Sequence, residues 1–142
     1  MAVKNVAATT WKGSLFEGSG EVALESSHTA TLGVNWKARS EGSSSTTTPE
    51  ELIAAAHSAC FSMALSNELT ENGTAPTSLH TTAEVTFDAA GGGIKGSHLI
   101  VEAEVPGLDQ ATFAKIAEGA KQGCPVSQAL AGIEITLDAT LK

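Results

Sequence analysis

The sequence predicts an α+β domain in the order β-β-β-α-β-β-α-α-β, with a mostly antiparallel sheet. Three observations carry this. Runs of alternating apolar and polar residues occur near both ends and in the middle of the chain, the period-two signature of half-buried strands. A long apolar run lies between Pro49 and Asn72-Gly73, bounded like a helix at both ends. A second helical spacing follows at Phe113, Ile116 and Ala117. With 142 residues and no linker or repeat, the chain reads as a single domain over residues 1–142.

Residues 6–12 and about 15–25 read as paired strands around Lys12-Gly13-Ser14, and a third strand at about 30–37 places Leu32, Val34 and Trp36 on one face, with Arg39 at its end. The polar stretch Glu41–Thr48 has no means of packing a core. Helix signals then accumulate: Thr48 as N-cap, Pro49 at the first position and Glu51 completing a capping box. That helix runs to about Glu71 and stops at Asn72-Gly73. Two longer strands follow, one with Leu79, Thr81, Ala83, Val85 and Phe87 in alternation, the other with Ile100, Val101, Ala103 and Val105. They join through a turn at 89–93. Leu108-Asp109 opens a helix to about Gln122, a short helix runs from Pro125 to Leu130, and Ile133–Leu141 is the last strand.

A formal charge of −8 leaves no basic patch with which to release counterions, which excludes nucleic acid and anionic membrane surfaces as partners. No signal peptide is legible in residues 1–10, and the longest apolar stretch, about 14 residues, is too short to span a bilayer. A cytoplasmic location is the expectation, and in a reducing compartment two cysteines are more readily oxidised transiently than stapled permanently. The helix around Leu52–Leu65 is apolar on nearly every face, which one small domain cannot cover. A homodimer packed around this helix is therefore expected.

Cys60 lies inside that apolar run and Cys124 stands before Pro125 at a helix start. A peroxide-reducing dithiol needs one thiol in an apolar wall and a second able to reach it, although free cysteine is often just a small buried hydrophobe. Cys60 is the nucleophile candidate. Its surroundings would raise its pKa, so ionisation calls for a nearby cation. Arg39 is the sole arginine beside seven lysines, and its planar fork of donors suits both a thiolate and a peroxide oxygen; it is otherwise a surface arginine. Glu50 is the carboxylate that could fix this fork, or simply a first-turn acid favoured by the helix dipole. Glu50 and Cys60 are ten residues apart, about 15 Å of helix, so a site containing both takes Glu50 from a partner's antiparallel helix. Cys124 is the candidate resolving thiol, or a small residue before a proline. His57, three residues before Cys60, lacks a carboxylate to orient it as a base. The cysteines and histidines show no zinc-ligand spacing, and the glycines at 91–93 lack the lysine of a phosphate loop.

The stretches Thr48-Pro-Glu-Glu-Leu-Ile-Ala-Ala-Ala-His-Ser-Ala-Cys-Phe-Ser-Met-Ala-Leu65 and Gly123-Cys-Pro-Val-Ser-Gln-Ala-Leu130 closely resemble the osmotically inducible protein C and organic hydroperoxide resistance (OsmC/Ohr) family, and the likeness extends over essentially the whole chain. The resemblance implies an intertwined homodimer with two interface sites that reduce organic hydroperoxides to alcohols, with hydrogen peroxide a poorer substrate. It implies Cys60 as peroxidatic thiol, Cys124 as resolving thiol, and Arg39 with Glu50 as the polarising pair. In the organic hydroperoxide resistance branch the activating arginine comes from the first hairpin. Here Trp11–Glu21 contains none, which places the chain nearer the osmotically inducible branch. The implied cycle passes through a Cys60 sulfenic acid and a Cys60–Cys124 disulfide. An external dithiol reductant, by resemblance a lipoylated protein, reopens that disulfide, and no metal or bound organic cofactor is called for. Phe61 and Met63 are candidates to line a pocket for the alkyl group. The competing expectations are a non-enzymatic redox sensor or stress-binding protein using the same disulfide, and a structural dimer with inert thiols.

Overall fold

Short runs rich in Thr, Val and Ala near the N-terminus pair into an antiparallel meander: β1 (Ala7–Lys12), β2 (Ser19–Leu24) and β3 (Thr31–Val34), in that order. A computed structural model describes residues 1–142, and the chain divides into two compact units, Met1–Leu52 and Ile53–Lys142. In the first unit β2 begins later than the sequence suggests. Leu15 and Phe16 mimic a strand, but the Ser14 hydroxyl and carbonyl accept the N–H groups of Glu17 and Gly18, closing a loop that Gly13 enters at φ 90°. Gly20 is required by its neighbour: a Cβ there would stand 2.8 Å from the Trp11 ring.

The third strand is also shorter than expected. Asn35 Oδ1 accepts the Ala38 N–H at 2.7 Å and starts a one-and-a-half-turn helix, α1 (Trp36–Glu41), ended by Gly42 at φ 84°. Trp36 and Arg39 therefore lie on a helix, not on a strand and at its end. A side-chain cap outcompetes the strand alternation once β3 has run out of partners.

Helix α2 (Pro49–Glu71) has the expected bounds. Thr48 Oγ1 accepts the Glu51 N–H at 3.0 Å, but the Glu51 carboxylate accepts from the Thr47 hydroxyl, so only half of the expected capping box forms. At the other end the Gly73 N–H donates to Thr70 O and the Thr74 N–H to Leu69 O, with Gly73 at φ 82°. These are the two bonds of a Schellman motif.

The second unit holds a separate sheet of β4 (Ser78–Asp88), β5 (Gly93–Glu104) and β6 (Glu134–Leu141), with β5 central. Thus the strands form two sheets, and one of their four pairings, β5 with β6, is parallel. The parallel pairing follows from the crossover between them, which carries α3 (Gln110–Gly123) and α4 (Pro125–Ala129). Asp109 caps α3 by accepting the Thr112 N–H at 2.9 Å.

Alternate residues of β5, Leu99, Val101 and Ala103, meet Phe61, Leu65 and Leu69 of α2 and Phe113, Ala117 and Ala120 of α3 in one buried cluster that includes Cys124. The buried stripe of α2 recurs every four residues at His57, Phe61, Leu65 and Leu69, as a helix with one face on a core requires. Leu65→Ala should therefore destabilise the fold by about 2–5 kcal/mol. Urea unfolding would register this, and a change below about 1 kcal/mol would contradict a close-packed site at this position.

Candidate active site

In the first unit, the last turn of α1 and the first turn of α2 bring Arg39 and Glu50 together. Arg39 Nε donates to Glu50 Oε1 at 3.0 Å and Oε2 at 3.3 Å, and Nη2 donates to Oε1 at 2.8 Å. The Glu50 side chain is 7% exposed, whereas that of Arg39 keeps 32% of its surface. Because Thr48 caps α2, Glu50 is not needed for that purpose and turns to the arginine. The fork geometry fixes the guanidinium plane as a lone point charge could not.

Arg39 is the charged residue in the lining of a cavity of about 340 Å³ whose walls include Trp11, Leu15, Val22, Val34 and Trp36, with Thr9 and Asn35 as further polar residues. Trp11 is oriented by donation from Nε1 to Gly13 O at 3.0 Å, and Phe16 meets the Trp36 ring edge-on with centroids 5.9 Å apart. An apolar wall with one fixed cationic fork is a chemistry for binding a small amphipathic molecule with an oxygen-rich end.

In the second unit, Cys60 of α2 is half-buried and Cys124, at the junction of α3 and α4, is fully buried. Both are free thiols. Cys124 belongs to the buried cluster and Cys60 packs against that cluster, near enough for each thiol to shift the other's proton affinity, so the expected resolving thiol stands near the expected nucleophile. Burial pushes the Cys60 thiol up, the Val126 N–H pulls the other way, and the neighbouring Cys124 adds to the upward push. Burial also opposes ionisation of Cys124, but the Ser127 N–H, the Cys60 thiol, the Ser127 hydroxyl and the Val126 N–H together outweigh it and leave Cys124 below the ordinary thiol value. Cys124 is the N-cap residue of α4 and its side chain makes no capping hydrogen bond.

His57 is the residue whose setting differs most from its sequence reading. It is fully buried, with Nδ1 2.7 Å from Ser97 Oγ on β5 and Nε2 2.8 Å from Ser127 Oγ on α4. Burial lowers its pKa, so the ring is held neutral. Neither serine stood out in the sequence, lying 40 and 70 residues from His57. Met63, a candidate pocket residue, is 74% exposed and stands in the wall of an open surface hollow with Ser66 and Leu79, whereas Phe61 is fully buried in the core. No group of three or more His, Cys, Asp or Glu side chains is placed to hold a metal ion, and no helix is long and apolar enough to cross a membrane.

Residues 42–138 match the family model described as OsmC-like protein. Over its whole length the chain is 44% identical to Peroxiredoxin OsmC of Escherichia coli, covering 99% of that protein. It is 39% identical over 98 residues to the organic hydroperoxide resistance protein-like 2 of Staphylococcus epidermidis, covering 66% of this chain and 68% of that one. Among solved structures, the organic hydroperoxide resistance protein of Elizabethkingia anophelis is similar over 100% of both chains, with 26% identity and a TM-score of 0.74.

The neutral, buried His57 has a measurable consequence. With its folded pKa below the unfolded value of 6.5, the unfolded chain binds a proton that the folded one refuses. Its stabilisation is complete above that value and is lost as pH falls through the folded pKa, at no more than about 1.4 kcal/mol per pH unit. Replacing His57 by Asn should flatten this part of the pH–stability curve. Denaturation midpoints between pH 7.5 and 5 for both proteins provide the comparison, and parallel curves would mean that His57 titrates alike folded and unfolded.

Proposed function

The chain belongs to the OsmC family and is an oxidoreductase of the peroxidase class, and we propose that it reduces organic hydroperoxides through Cys60 and Cys124. The observation that carries this reading is the packing of two free thiols at one buried cluster, Cys60 half-buried against it and Cys124 fully buried within it. Names of relatives that include organic hydroperoxide resistance support the substrate class, as does the apolar cavity with Arg39 in its wall.

In the proposed cycle the Cys60 thiolate attacks the terminal oxygen of ROOH. A sulfur–oxygen bond forms, the O–O bond breaks, and the departing alkoxide takes a proton to leave as ROH. Cys60 is now a sulfenic acid. The Cys124 thiolate attacks the Cys60 sulfur, a disulfide forms, and hydroxide leaves and is protonated to water. An external dithiol then returns both cysteines to thiols by two exchange steps and is itself oxidised to a disulfide. Arg39 stabilises the Cys60 thiolate and the negative charge growing on the peroxide oxygens, and Glu50 holds the guanidinium in register.

The cation reaches the thiol across a homodimer. Ten residues of α2 separate Glu50 from Cys60, about 15 Å along the axis. A carboxylate tied to Arg39 at the start of one α2 thus serves Cys60 in the middle of the partner's antiparallel α2. Exposure supports this assembly: Met63, Leu15 and Phe16 are 74%, 51% and 75% exposed in a single chain, and β1 is exposed along its whole length.

Three results are expected. One equivalent of cumene hydroperoxide removes two hydrogens between Cys60 and Cys124 by mass spectrometry; an unmodified chain would end the proposal. Cys60→Ser abolishes turnover, whereas Cys124→Ser allows one oxidation followed by overoxidation, and Arg39→Lys lowers kcat/KM by about 10²-fold. Arg39→Ala and Cys60→Ser proteins, each inactive, regain about a quarter of wild-type activity when unfolded and refolded together, because half of the dimers are mixed and each mixed dimer has one intact site. No recovery would place all four residues in one chain.

A further inference from the structure

Four polar or charged side chains are buried in the chain, Glu50, His57, Ser97 and Ser127. Glu50 is taken by Arg39. The other three form one continuous chain that runs from β5 through α2 to α4, the helix whose N-cap residue is Cys124. Ser97 Oγ meets His57 Nδ1 at 2.7 Å and His57 Nε2 meets Ser127 Oγ at 2.8 Å. Ser127 is the member that stands on the first turn of α4, three residues after Cys124, and it is bonded to the imidazole.

The proton count on this chain is restrictive. A neutral imidazole has one N–H, and each serine has one O–H. If Ser97 donates to Nδ1, then Nε2–H donates to Ser127 Oγ, and the Ser127 proton is left to point at Cys124. If instead Nδ1–H donates to Ser97, Ser127 must give its proton to Nε2 and can only accept from a Cys124 S–H. The first order of bonds suits a Cys124 thiolate and the second a Cys124 thiol. Both satisfy every buried polar atom, so the chain has two complete states differing in which way its hydrogen bonds run.

We propose that Ser127, oriented by His57 and through it by Ser97, is a positioning residue for disulfide closure, its hydroxyl donating to the Cys124 sulfur when that sulfur attacks Cys60. This rests on the assignment of Cys124 as the resolving thiol. In the step it serves, the Cys124 thiolate displaces hydroxide from the Cys60 sulfenic acid. Cys124 is oxidised, Cys60 is reduced to the disulfide level, and the hydroxide takes up a proton as water. The low proton affinity of Cys124 agrees with such donation, and the neutrality of His57 is what makes the order of bonds decisive. The ionisable groups near this chain include Cys60 on α2 and, at the Ser97 end, Glu84, Lys95, His98 and Glu134, which line one surface hollow with Ser97. On the α3 side, the Glu68 carboxylate faces Gly119 and Gly123, one turn and one residue before Cys124. A carboxylate there opposes a thiolate, so it does not supply the effect assigned to Ser127.

The test uses no peroxide, so it stands or fails apart from the peroxidase reading. In a Cys60→Ser protein, the ultraviolet absorbance of the Cys124 thiolate is followed against pH, with and without Ser127→Ala or Ser127→Thr. Loss of the hydroxyl is expected to move the midpoint up by about one unit, tenfold less thiolate at a given pH, and Thr to restore it. An unmoved midpoint, or an equal shift in both variants, overturns the proposal. If the Ala variant does not fold, nitrogen NMR of His57 in the parent Cys60→Ser protein decides. The proton is expected to pass from Nδ1 to Nε2 as Cys124 ionises, and a ring whose signals stay constant through that titration overturns it. In wild type, rapid-quench mass spectrometry separates the two readings. Ser127→Ala is expected to slow disulfide closure about tenfold while leaving Cys60 oxidation unchanged; failure of the wild type to form the disulfide would sink the peroxidase reading alone.

Discussion

Burial pushes the Cys60 sulfur away from the charged form that thiol chemistry requires, and the proposed cycle has to offset that cost. An apolar wall is useful for admitting an alkyl hydroperoxide and for excluding water, but it disfavours a thiolate. The compensation has to come from a charge that is permanent, directional and held still. Arginine meets the first two conditions by its chemistry, and the three hydrogen bonds from Arg39 to Glu50 supply the third. Lysine would bring charge without the fork. That difference explains why the single arginine in the chain, and not one of its seven lysines, is tied to a nearly buried carboxylate.

The second thiol is treated differently. Cys124 has no cation of its own, and its sulfur is surrounded by neutral donors. A neutral network loses less to desolvation than an ion pair would at a fully buried position. It also constrains geometry, because His57 ties α2 to β5 on one side and to α4 on the other. With no buried side-chain nitrogen or oxygen left unpaired, the network specifies one packing of α4 against α2. The placement of α4, and of Cys124 at its start, against α2 is thus set by a buried polar chain as much as by the apolar core.

How much of this was legible in the sequence depends on how local each cause is. Helix α2 was readable to the residue because Thr48-Pro49 and Asn72-Gly73 are terminal signals that act within one turn. Helix α3 was readable for the same reason at Asp109. The short α1 was hidden because Leu32, Val34 and Trp36 continue a strand-like alternation straight through the Asn35 cap. Asn35 followed by Lys37-Ala38-Arg39 and Gly42 was the signal that could have revealed it. The parallel pairing of β6, and the separation into two sheets, are set by contacts far apart in the chain and leave no local mark. In the site, Arg39 and Glu50 could be paired by scarcity, since only one arginine competes for the carboxylate. Ser97 and Ser127 could not, because a serine that bonds a histidine 40 or 70 residues away looks like any other serine.

The two units carry unequal shares of the apolar core. All eleven residues of the buried cluster belong to Ile53–Lys142, whereas Met1–Leu52 fully buries only Gly20, Ala38 and Glu50. A meander with so little interior cannot stand alone, since two- and three-stranded sheets need an apolar surface to rest on. On α2, meanwhile, Ala55, Ala56, Ala59 and Met63 remain exposed on the side away from His57, Phe61, Leu65 and Leu69. In the proposed dimer these deficits cancel, with the apolar side of one α2 covering what the partner leaves open. The same docking carries Arg39 and Glu50 to the thiol. In the proposed dimer assembly and catalysis are therefore coupled: the partner proposed to complete the apolar packing is also the one proposed to supply the charge that Cys60 lacks.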